Sequence, residues 1–323
     1  MPEEKISIIV TSAGTASAIS VIKALRAQTE ISVHIVAVDL DPMAAGLFLA
    51  DESKTVPAAS DPSYIQSLIN IGVQTQSSVL IPIYSKEISL IAKHQEQLKK
   101  AGLQTFLPRP ETIELCNNKK AMCVFAKKAG LTIPRVYEKD EIGLLNATHF
   151  PLFIKPNSGS SSTGAEKVLN KDRLKEILSS GKDLIIQEFI DAKEVTVDVF
   201  CNEQNEAIVV APRLRLATKS GQSVKGRTLS SERFLKPVKA ICKQLKIRGA
   251  CNVQFFMKDE SLYFIEINPR FAAGGLMLTV GAGANIPLIL LKTILNKEVS
   301  DAECETKSDY LMTRYWEEIV YHA

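Results

Sequence analysis

The sequence predicts an α/β protein that opens with a small parallel sheet and continues into mixed α+β units. Its 323 residues are 46% apolar and 23% charged, which is typical of a soluble globular protein with two or three domains. An apolar strand at 6–10, helical apolar spacing at 18–25 and a second strand at 34–39 form a βαβ unit. A strand at 79–83 and a helix at 85–101 extend the sheet and place helices on both faces.

The first turn of this unit, T-S-A-G at 11–14, lacks the glycine pattern of a dinucleotide site. A pyrophosphate-binding turn needs a second and a third glycine, for the approach of the phosphates and for helix packing. Here Ala16, Ser17 and Ala18 follow Gly14. A dinucleotide-dependent oxidoreductase is therefore the least favoured alternative.

Composition disfavours several classes of partner and chemistry. A net charge of +3 gives no reason to expect nucleic acid or a membrane surface as a partner. Six cysteines without a CxxC pair, and an N-terminus M-P-E-E-K without a signal-peptide pattern, predict a cytoplasmic location. Four histidines that are far apart in the sequence disfavour a histidine zinc site or a Ser-His-Asp triad.

The longest uncharged segment, 271–291, is long enough to cross a membrane but has the wrong composition for it. Its four glycines, together with Asn285 and Pro287, would interrupt a helix and leave backbone groups unpaired in hydrocarbon. We interpret the segment as a glycine-rich loop beside a site, followed by a buried helix over about 287–295 with proline at its start.

A second unit follows the first sheet. Asn118 can cap a helix that Gly130 ends, and the apolar run 150–154 then predicts a strand. The strand continues into F-I-K-P-N-S-G-S-S-S-T-G at 153–164, which is rich in glycine and hydroxyl groups. It is not a Walker A motif, because Ala and Glu follow the second glycine where Lys and Ser or Thr are required. These residues alone leave open a phosphate site or a mobile surface loop.

Two later strands, 251–256 and 261–270, flank K-D-E and predict an antiparallel hairpin. Alternation puts Glu266 and Asn268 on one face of their strand, where Gln254 of the other strand can lie opposite. Polar strand residues commonly face solvent, but a carboxylate between two isoleucines is costly to bury without a charged partner. Oxygen ligands suit Mg²⁺ better than zinc, so these three residues are the predicted metal ligands.

Five motifs in this order resemble the ATP-grasp superfamily. They are Lys119 at the head of a helix, F-I-K-P with its serine- and glycine-rich loop, Q-E-F-I-D-A-K-E-V-T-V-D at 187–198, G-A-C-N-V-Q-F-F at 249–256 and F-I-E-I-N-P-R at 264–270. The last two are most similar to carboxylate–amine ligases and to the ATP-binding half of carbamoyl-phosphate synthetase large subunits. The resemblance covers roughly residues 1–295.

The resemblance implies a Rossmann-like pre-ATP-grasp parallel sheet followed by a two-lobed α+β ATP-grasp module. The corresponding domains are 1–115 for the βαβ domain, 116–188 for the central lobe with a phosphate lid, and 189–323 for the C-terminal lobe with the metal and acceptor site. In this family ATP lies between the two lobes, and a mobile loop closes over its phosphates. The implied cofactors are ATP and Mg²⁺, with two ions expected and Mn²⁺ as an alternative metal.

The resemblance also implies roles for individual residues. Lys119 and Lys155 resemble the lysines that bind phosphate. The lid at 157–164 would also contact phosphate, and it includes Ser158, Gly159, Ser160, Ser161 and Gly164. The hinge that holds adenine corresponds to Glu188, Phe189 and Ile190, and the acid that binds the ribose hydroxyls corresponds to Glu194. Simpler alternatives stay open. Lys155 can be a lysine that extends to the surface, Lys119 a solvated helix end and Glu194 a strand-edge charge.

Arg270 resembles the arginine that faces the acceptor carboxylate, since a guanidinium offers a planar fork to a carboxylate or an acyl phosphate. The segment 212–228 contains five basic residues and no aromatic residue, so it lacks the stacking platforms of a single-strand binder. We interpret it as a basic flap over an acidic substrate, with a solvated loop as the alternative. The predicted catalytic residues are Arg270, Lys155 and Arg213.

These features predict an ADP-forming ligase that activates a small carboxylate as an acyl phosphate with Mg-ATP and joins it to an amine. Small-molecule carboxylate and amine substrates are the expected partners, and a homodimer is retained as an option for assembly. A single ATP-grasp module does not predict complete carbamoyl-phosphate synthesis. Two alternatives stay open: an ATP-grasp kinase that phosphorylates a small molecule, and a nucleotide-binding protein without turnover.

Overall fold

The computed structural model describes residues 5–138, 140–157 and 164–321. Within these ranges the strands form three sheets, of four, three and six strands. Ser158, Gly159, Ser160 and Ser161 of the predicted lid lie outside the described residues. The domain boundaries at 115 and 188 stay predictions.

The four-stranded sheet is the parallel unit that the sequence predicts. Its strands, in the order β3-β2-β1-β4, are β1 (Ile6–Val10), β2 (Val33–Asp39), β3 (Glu52–Thr55) and β4 (Val79–Ile81). The nearby helices are α1 (Ala16–Ala27), α2 (Tyr64–Gln74), α3 (Ser85–Lys93) and α4 (Gln95–Lys100). Sequence analysis missed β3 and α2, and its single helix at 85–101 is two helices that meet at His94.

Alternate residues of β1 pack into different apolar cores. Ile8 and Val10 belong to the cluster that contains the apolar side of α1, whereas Ile9 belongs to the cluster with α2 and α3. All three side chains are fully buried. A strand covered on both faces needs a nearly continuous apolar run, so helices do lie on both faces of this sheet.

The three-stranded sheet is antiparallel, with the order β6-β5-β7. The elements of this region are α5 (Pro110–Asn117), α6 (Lys119–Lys128), β5 (Leu152–Pro156), β6 (Glu166–Val168), α7 (Lys171–Leu178) and β7 (Leu184–Glu188). Asn118 caps α6 as predicted, because its side chain accepts a hydrogen bond of 3.1 Å from the N–H of Ala121. Lys155 lies near the end of β5, before the predicted lid.

The six-stranded sheet has the order β12-β11-β8-β9-β10-β13. Its strands are β8 (Lys193–Cys201), β9 (Ala207–Lys219), β10 (Gln222–Thr228), β11 (Gly249–Lys258), β12 (Ser261–Asn268) and β13 (Leu311–Thr313), and its associated helices are α8 (Glu232–Leu245), α9 (Leu276–Gly281), α10 (Ile286–Ile294) and α11 (Asp301–Cys304). The predicted β11–β12 hairpin is confirmed, with Gln254 opposite Glu266 and Asn252 opposite Asn268.

The segment 212–228, which was interpreted as a basic flap or a solvated loop, forms the hairpin of β9 and β10. Its backbone is paired on both sides, with β8 next to β9 and β13 next to β10. Ser220 and Gly221, with φ of 48° and 73°, form the two-residue turn. Both central residues of such a turn need positive φ, so the S-G pair between two strand-like runs was the overlooked sequence signal.

The uncharged segment 271–291 contains two helices. The predicted buried helix is confirmed as α10, whereas the short α9 lies within what was predicted as a loop. Asn285 caps α10 by accepting a hydrogen bond of 3.1 Å from the N–H of Leu288. Among the described residues, no helix is long and apolar enough to cross a membrane.

Candidate active site

One cleft between the three-stranded and six-stranded sheets gathers seven of the twelve predicted site residues that the structure describes. It encloses 1190 Å³, including space that is open to solvent. The predicted residues that line it are Lys119, Lys155, Glu194, Gln254, Glu266, Asn268 and Arg270. Gly164, Arg213 and the three predicted hinge residues are not part of its lining.

Lys155 is the most unusual group in the cleft. Its side chain is 7% exposed, and among the described residues it makes no hydrogen bond or ion pair. Burial lowers the pKa of this ammonium, while the charge of Glu266 opposes that shift and the charge of Lys119 adds to it. A buried cation without a partner is costly, so the site favours an anion that enters the cleft.

Lys119 lies at the first position of α6, and this helix start is fixed to the end of β5. The N–H of Lys119 donates to the carbonyl of Asn157 at 3.3 Å, and the N–H of Lys120 donates to the Asn157 side chain at 2.9 Å. Asn157 in turn donates to Asp183 at 2.8 Å. These bonds hold the two predicted phosphate lysines on adjoining elements.

The predicted metal ligands meet on β11 and β12. The amide of Asn268 donates to Oε1 of Glu266 at 3.0 Å and to Oδ1 of Asn252 at 3.3 Å. Asn252 is 2% exposed and donates to the carbonyl of Arg270 at 3.1 Å. With its nitrogen used in these bonds, Asn268 keeps its amide oxygen for a ligand. Carboxylate and amide oxygens of Glu266, Asn268 and Gln254 form a donor set that fits Mg²⁺.

Arg270 connects the cleft to the N-terminal sheet region. Its Nε donates to the hydroxyl of Ser85 at 2.7 Å, and one terminal nitrogen donates to the carbonyl of Phe271 at 3.0 Å. Burial lowers the pKa of the guanidinium, and the charge of Glu266 opposes this effect. Ser85 begins α3, so the arginine is oriented by a residue 185 positions away.

Glu194 has a partner that the sequence analysis did not assign. Its carboxylate pairs with Arg215, which also donates to the carbonyl of Gly221 at 2.7 Å. Glu194 and Arg215 both line the cleft. The predicted ribose acid is thus held by a neighbouring strand rather than standing as a solvated strand-edge charge.

The predicted hinge lies where β7 leads into β8, the passage from one sheet to the other. The N–H of Glu188 donates to the carbonyl of Arg135 at 2.9 Å, and its carboxylate accepts from the N–H of Arg135 at 2.9 Å. The N–H of Phe189 donates to the carbonyl of Pro151 at 3.3 Å. The N–H groups of Glu188 and Phe189 and the carboxylate of Glu188 are therefore hydrogen-bonded within the protein. Ile190 is the next residue of the crossing.

Arg213 is fully buried and does not reach the cleft. Two of its nitrogens donate to the carboxylate of Asp198 at 2.8 and 2.7 Å, and the third donates to the carbonyl of Gly274 at 3.2 Å. Thr279 completes the group with a 2.6 Å hydrogen bond to Asp198. A Cβ at Gly275 would lie 2.1 Å from the guanidinium, so that position needs glycine. Arg213 therefore supports the loop that borders the cleft, which corrects its predicted catalytic role.

Three residues that organise the site were given no role from the sequence. Asn252 shares its strand face with Gln254, and Asp198 is an acid within a buried valine-rich strand, so both carried a signal. Ser85 carried none, because only folding brings it to Arg270.

Three family models match successive parts of the chain. The model described as "PylC-like, N-terminal domain" matches residues 8–106, and "D-ala D-ala ligase C-terminus" matches 129–220. A third, "ATP-grasp in the biosynthetic pathway with Ter operon", matches 180–317 and includes the predicted metal strands. In its family-model matches, the chain is similar to ATP-grasp enzymes.

The chain is also similar in sequence to curated enzymes. It is 26% identical over 243 residues to the carbamoyl phosphate synthase large chain of Pseudothermotoga lettingae, a match over 68% of this chain and 21% of that protein. The chain thus spans about a fifth of the length of this curated relative. The relative's complete activity is a property of that longer protein.

Two solved structures show the same fold. The biotin carboxylase domain of the Hydrogenobacter thermophilus 2-oxoglutarate carboxylase, a dimer with MgADP and bicarbonate, has a TM-score of 0.73 and 16% identity, over 92% of this chain and 71% of that one. The L-amino acid ligase of Bacillus licheniformis has a TM-score of 0.69 and 17% identity, over 95% and 78% respectively. The ATP-grasp fold assignment therefore covers nearly the whole chain.

Proposed function

We propose that the protein is an ADP-forming ligase that activates a small carboxylate with Mg-ATP and joins it to an amine. The observation that carries the proposal is Lys155, a buried ammonium with no hydrogen bond or ion pair to the described residues, in a cleft that also contains Glu266 and Arg270. Such a group suits the phosphates of a nucleotide, and the nearby oxygen donors suit the accompanying cation.

The nucleotide lies between the three-stranded and six-stranded sheets in this proposal. Lys155 and Lys119 bind its phosphates. The adenine contacts the crossing from β7 to β8. Because the N–H groups of Glu188 and Phe189 are used within the protein, Ile190 and the carbonyls of the crossing make the contact. Glu194, oriented by Arg215, receives the ribose hydroxyls.

Gln254, Glu266 and Asn268 hold Mg²⁺ in this proposal, with two ions as the expected number and Mn²⁺ as a substitute. The ion, when bound, neutralises phosphate charge and aligns the phosphates for transfer. The hydrogen bonds from Asn268 to Glu266 and Asn252 fix the direction of the donor oxygens before the ion arrives. Such orientation by neighbouring groups commonly tunes a metal site.

The proposed reaction has two steps. A carboxylate oxygen of the substrate attacks the γ-phosphorus of ATP, the bond from that phosphorus to the ADP oxygen breaks, and an acyl phosphate forms. The amine nitrogen then attacks the acyl carbon, inorganic phosphate leaves, and the nitrogen loses a proton to give an amide. Arg270, held by Ser85, positions the carboxylate and stabilises the negative charge on the acyl phosphate.

The matched families support a ligase over the alternatives. The names of the relatives include a carbamoyl phosphate synthase, an amino acid ligase and the D-ala D-ala ligase model, all of which belong to the ligase branch of the superfamily. The carboxylate and the amine share the cleft with the nucleotide, so we propose that both are small molecules.

The test is ADP release by the purified protein with Mg-ATP, across a pool of amino acids and other small carboxylates. Hydroxylamine is included, because it traps acyl phosphates as hydroxamates. We expect hydroxamate with at least one carboxylate, and no hydroxamate when ATP is omitted. ADP formation without any hydroxamate would replace the ligase by a kinase. Nucleotide binding without ADP from any acceptor would replace it by a binding protein without turnover.

A further inference from the structure

Three cysteines converge in the core on the far side of the sheet from the cleft. The sulfur atoms of Cys201, Cys242 and Cys251 all lie within 4.8 Å of one another. Their side chains are 0%, 0% and 2% exposed. They come from three different elements, the end of β8, the end of α8 and the start of β11.

The position of the cluster follows from strand alternation. Thr196 of β8 and Gln254 of β11 line the cleft, whereas Cys201 and Cys251 belong to the apolar core under the opposite face, where α8 packs. The cluster is thus built on the two strands that also carry cleft residues. None of the three cysteines is used by the proposed ligase reaction.

The geometry suits a shared ligand better than a disulfide between the strands. Cys201 pairs with Gly249, and Cys251 pairs with Val199, so the two cysteines are diagonal neighbours. Diagonal Cα atoms are about 7 to 8 Å apart, beyond the range of about 4.4 to 6.8 Å that disulfides usually need. Metal–sulfur bonds of about 2.3 Å separate three thiolate ligands by about 4 Å. Small side-chain movements bring the observed sulfurs to that spacing.

Burial of the cluster favours a cation as the shared ligand. Three thiolates in an apolar core are costly without a positive charge, and a bound divalent cation compensates their negative charge.

We infer that Cys201, Cys242 and Cys251 form a binding site for one thiophilic divalent cation of the Zn²⁺ and Cd²⁺ class. Binding forms three metal–sulfur bonds and releases the three thiol protons to solvent. Soft thiolate donors select such ions over Mg²⁺, so the site is chemically separate from the oxygen donors in the cleft. The inference is independent of the proposed ligase activity.

Cys116 is a further cysteine in the same apolar core, outside the group of three convergent sulfurs. It lies in α5. The hydroxyl of Thr112 donates to the carbonyl of Leu245 at 3.0 Å, which ties α5 to the end of α8. The ¹¹³Cd experiment described next tests whether the sulfur of Cys116 joins the three others around an ion.

The experiment uses the full chain, with Cd²⁺ as the spectroscopic probe. Because the sulfurs are buried, the protein is refolded anaerobically with Cd²⁺ and then passed over a chelating resin. We expect one retained Cd²⁺ per chain, a thiolate-to-metal charge-transfer band and a ¹¹³Cd resonance in the range of sulfur coordination. The chemical shift distinguishes three sulfur ligands from four.

Single variants separate the cluster from the other cysteines. Cys242→Ala should lose the band and at least ten times in Cd²⁺ affinity, whereas Cys304→Ala, at a half-buried position outside the cluster, should retain both. If Cys242→Ala does not fold, Cys201→Ala and the ¹¹³Cd signal of the unmodified chain decide. Absence of retained Cd²⁺ in the unmodified chain, or an unchanged band in a folded cluster variant, overturns the inference.

Discussion

Two buried cations, Lys155 and Arg213, differ in whether the protein itself supplies partners for their charge. Arg213 is 1% exposed, and all three guanidinium nitrogens have partners on Asp198 or Gly274. Lys155 is 7% exposed and, among the described residues, has no such partner. The protein itself compensates the charge of Arg213, whereas compensation of the Lys155 charge requires a bound anion.

The difference separates a scaffold from a binding site. A fully paired charge costs little more to bury once its partners are fixed, so the Arg213 network can hold the glycine loop. A charge without a partner lowers the stability of the protein unless a ligand compensates for it. Burial alone is therefore a poor guide to function, and the state of the hydrogen bonds decides.

The largest expected effect is a loss of stability when Arg213 is replaced. Arg213→Met leaves Asp198 buried with only Thr279 as its hydrogen-bond donor among these partners, and should lower the free energy of unfolding by about 3 to 5 kcal/mol. Urea denaturation measures the change. The double variant with Asp198→Leu removes both charges and should regain most of the loss. If the double variant is as unstable as the single one, the ion pair is not the source of the effect.

The next effect concerns the cleft and leaves stability intact. Glu266→Ala and Arg270→Ala should each lower turnover by at least about a hundredfold, since each removes charge stabilisation worth about 3 kcal/mol. ADP release measures turnover, and urea denaturation confirms the fold. Glu260→Ala, at the exposed tip of the β11–β12 hairpin, is the matched control and should keep full activity. Near-normal activity in either cleft variant contradicts its assigned role.

Replacement of Lys155 should act in the opposite direction to replacement of Arg213. Lys155→Met removes a buried charge that has no partner in the described parts of the chain, so the free energy of unfolding should stay equal or rise while ATP affinity falls about ten- to a hundredfold. Isothermal titration with ATP measures the affinity. Lys175→Met on the exposed surface of α7 should change neither quantity. A strong loss of stability in Lys155→Met would mean that the ammonium has a structural partner.

A smaller effect follows from the lowered pKa of Lys155. The folded protein releases this proton at a lower pH than the unfolded chain, so the unfolded chain binds more protons between the lowered pKa and 10.5. The stability of the unmodified protein relative to Lys155→Met should therefore rise with pH across that window and stay constant below it. Denaturation curves at a series of pH values provide the comparison, and a fall across the window would contradict the assigned direction.

The smallest effect is expected for a charge pair on the surface. Arg173 donates to both oxygens of Glu166 at 2.7 and 2.8 Å, yet both side chains are about 40% exposed. Water screens such a pair, so Arg173→Met should leave the urea midpoint within experimental error. A clear shift would show that hydrogen-bond geometry outweighs exposure in this protein.

Much of the fold could be predicted from local signals. The parallel sheet, the Asn118 cap, the β11–β12 hairpin and the helix α10 follow from apolar runs, capping and alternation, which act over a few residues. The register that puts Gln254 opposite Glu266 was also accessible, because a short turn fixes the hairpin. The strands at 212–228 were not predicted, because the segment was interpreted from its basic residues and the S-G pair that forms the hairpin turn was overlooked.

The sequence by itself determined which chemical groups are available: two lysines near a glycine- and serine-rich loop, an oxygen donor set on a hairpin, and an arginine after it. Only the tertiary structure decided how each charge is used. It joined Ser85 to Arg270, paired Glu194 with Arg215, and enclosed Arg213 with Asp198. The physical reason is that a charge takes its role from its partners and its burial, and both depend on residues far apart in the chain.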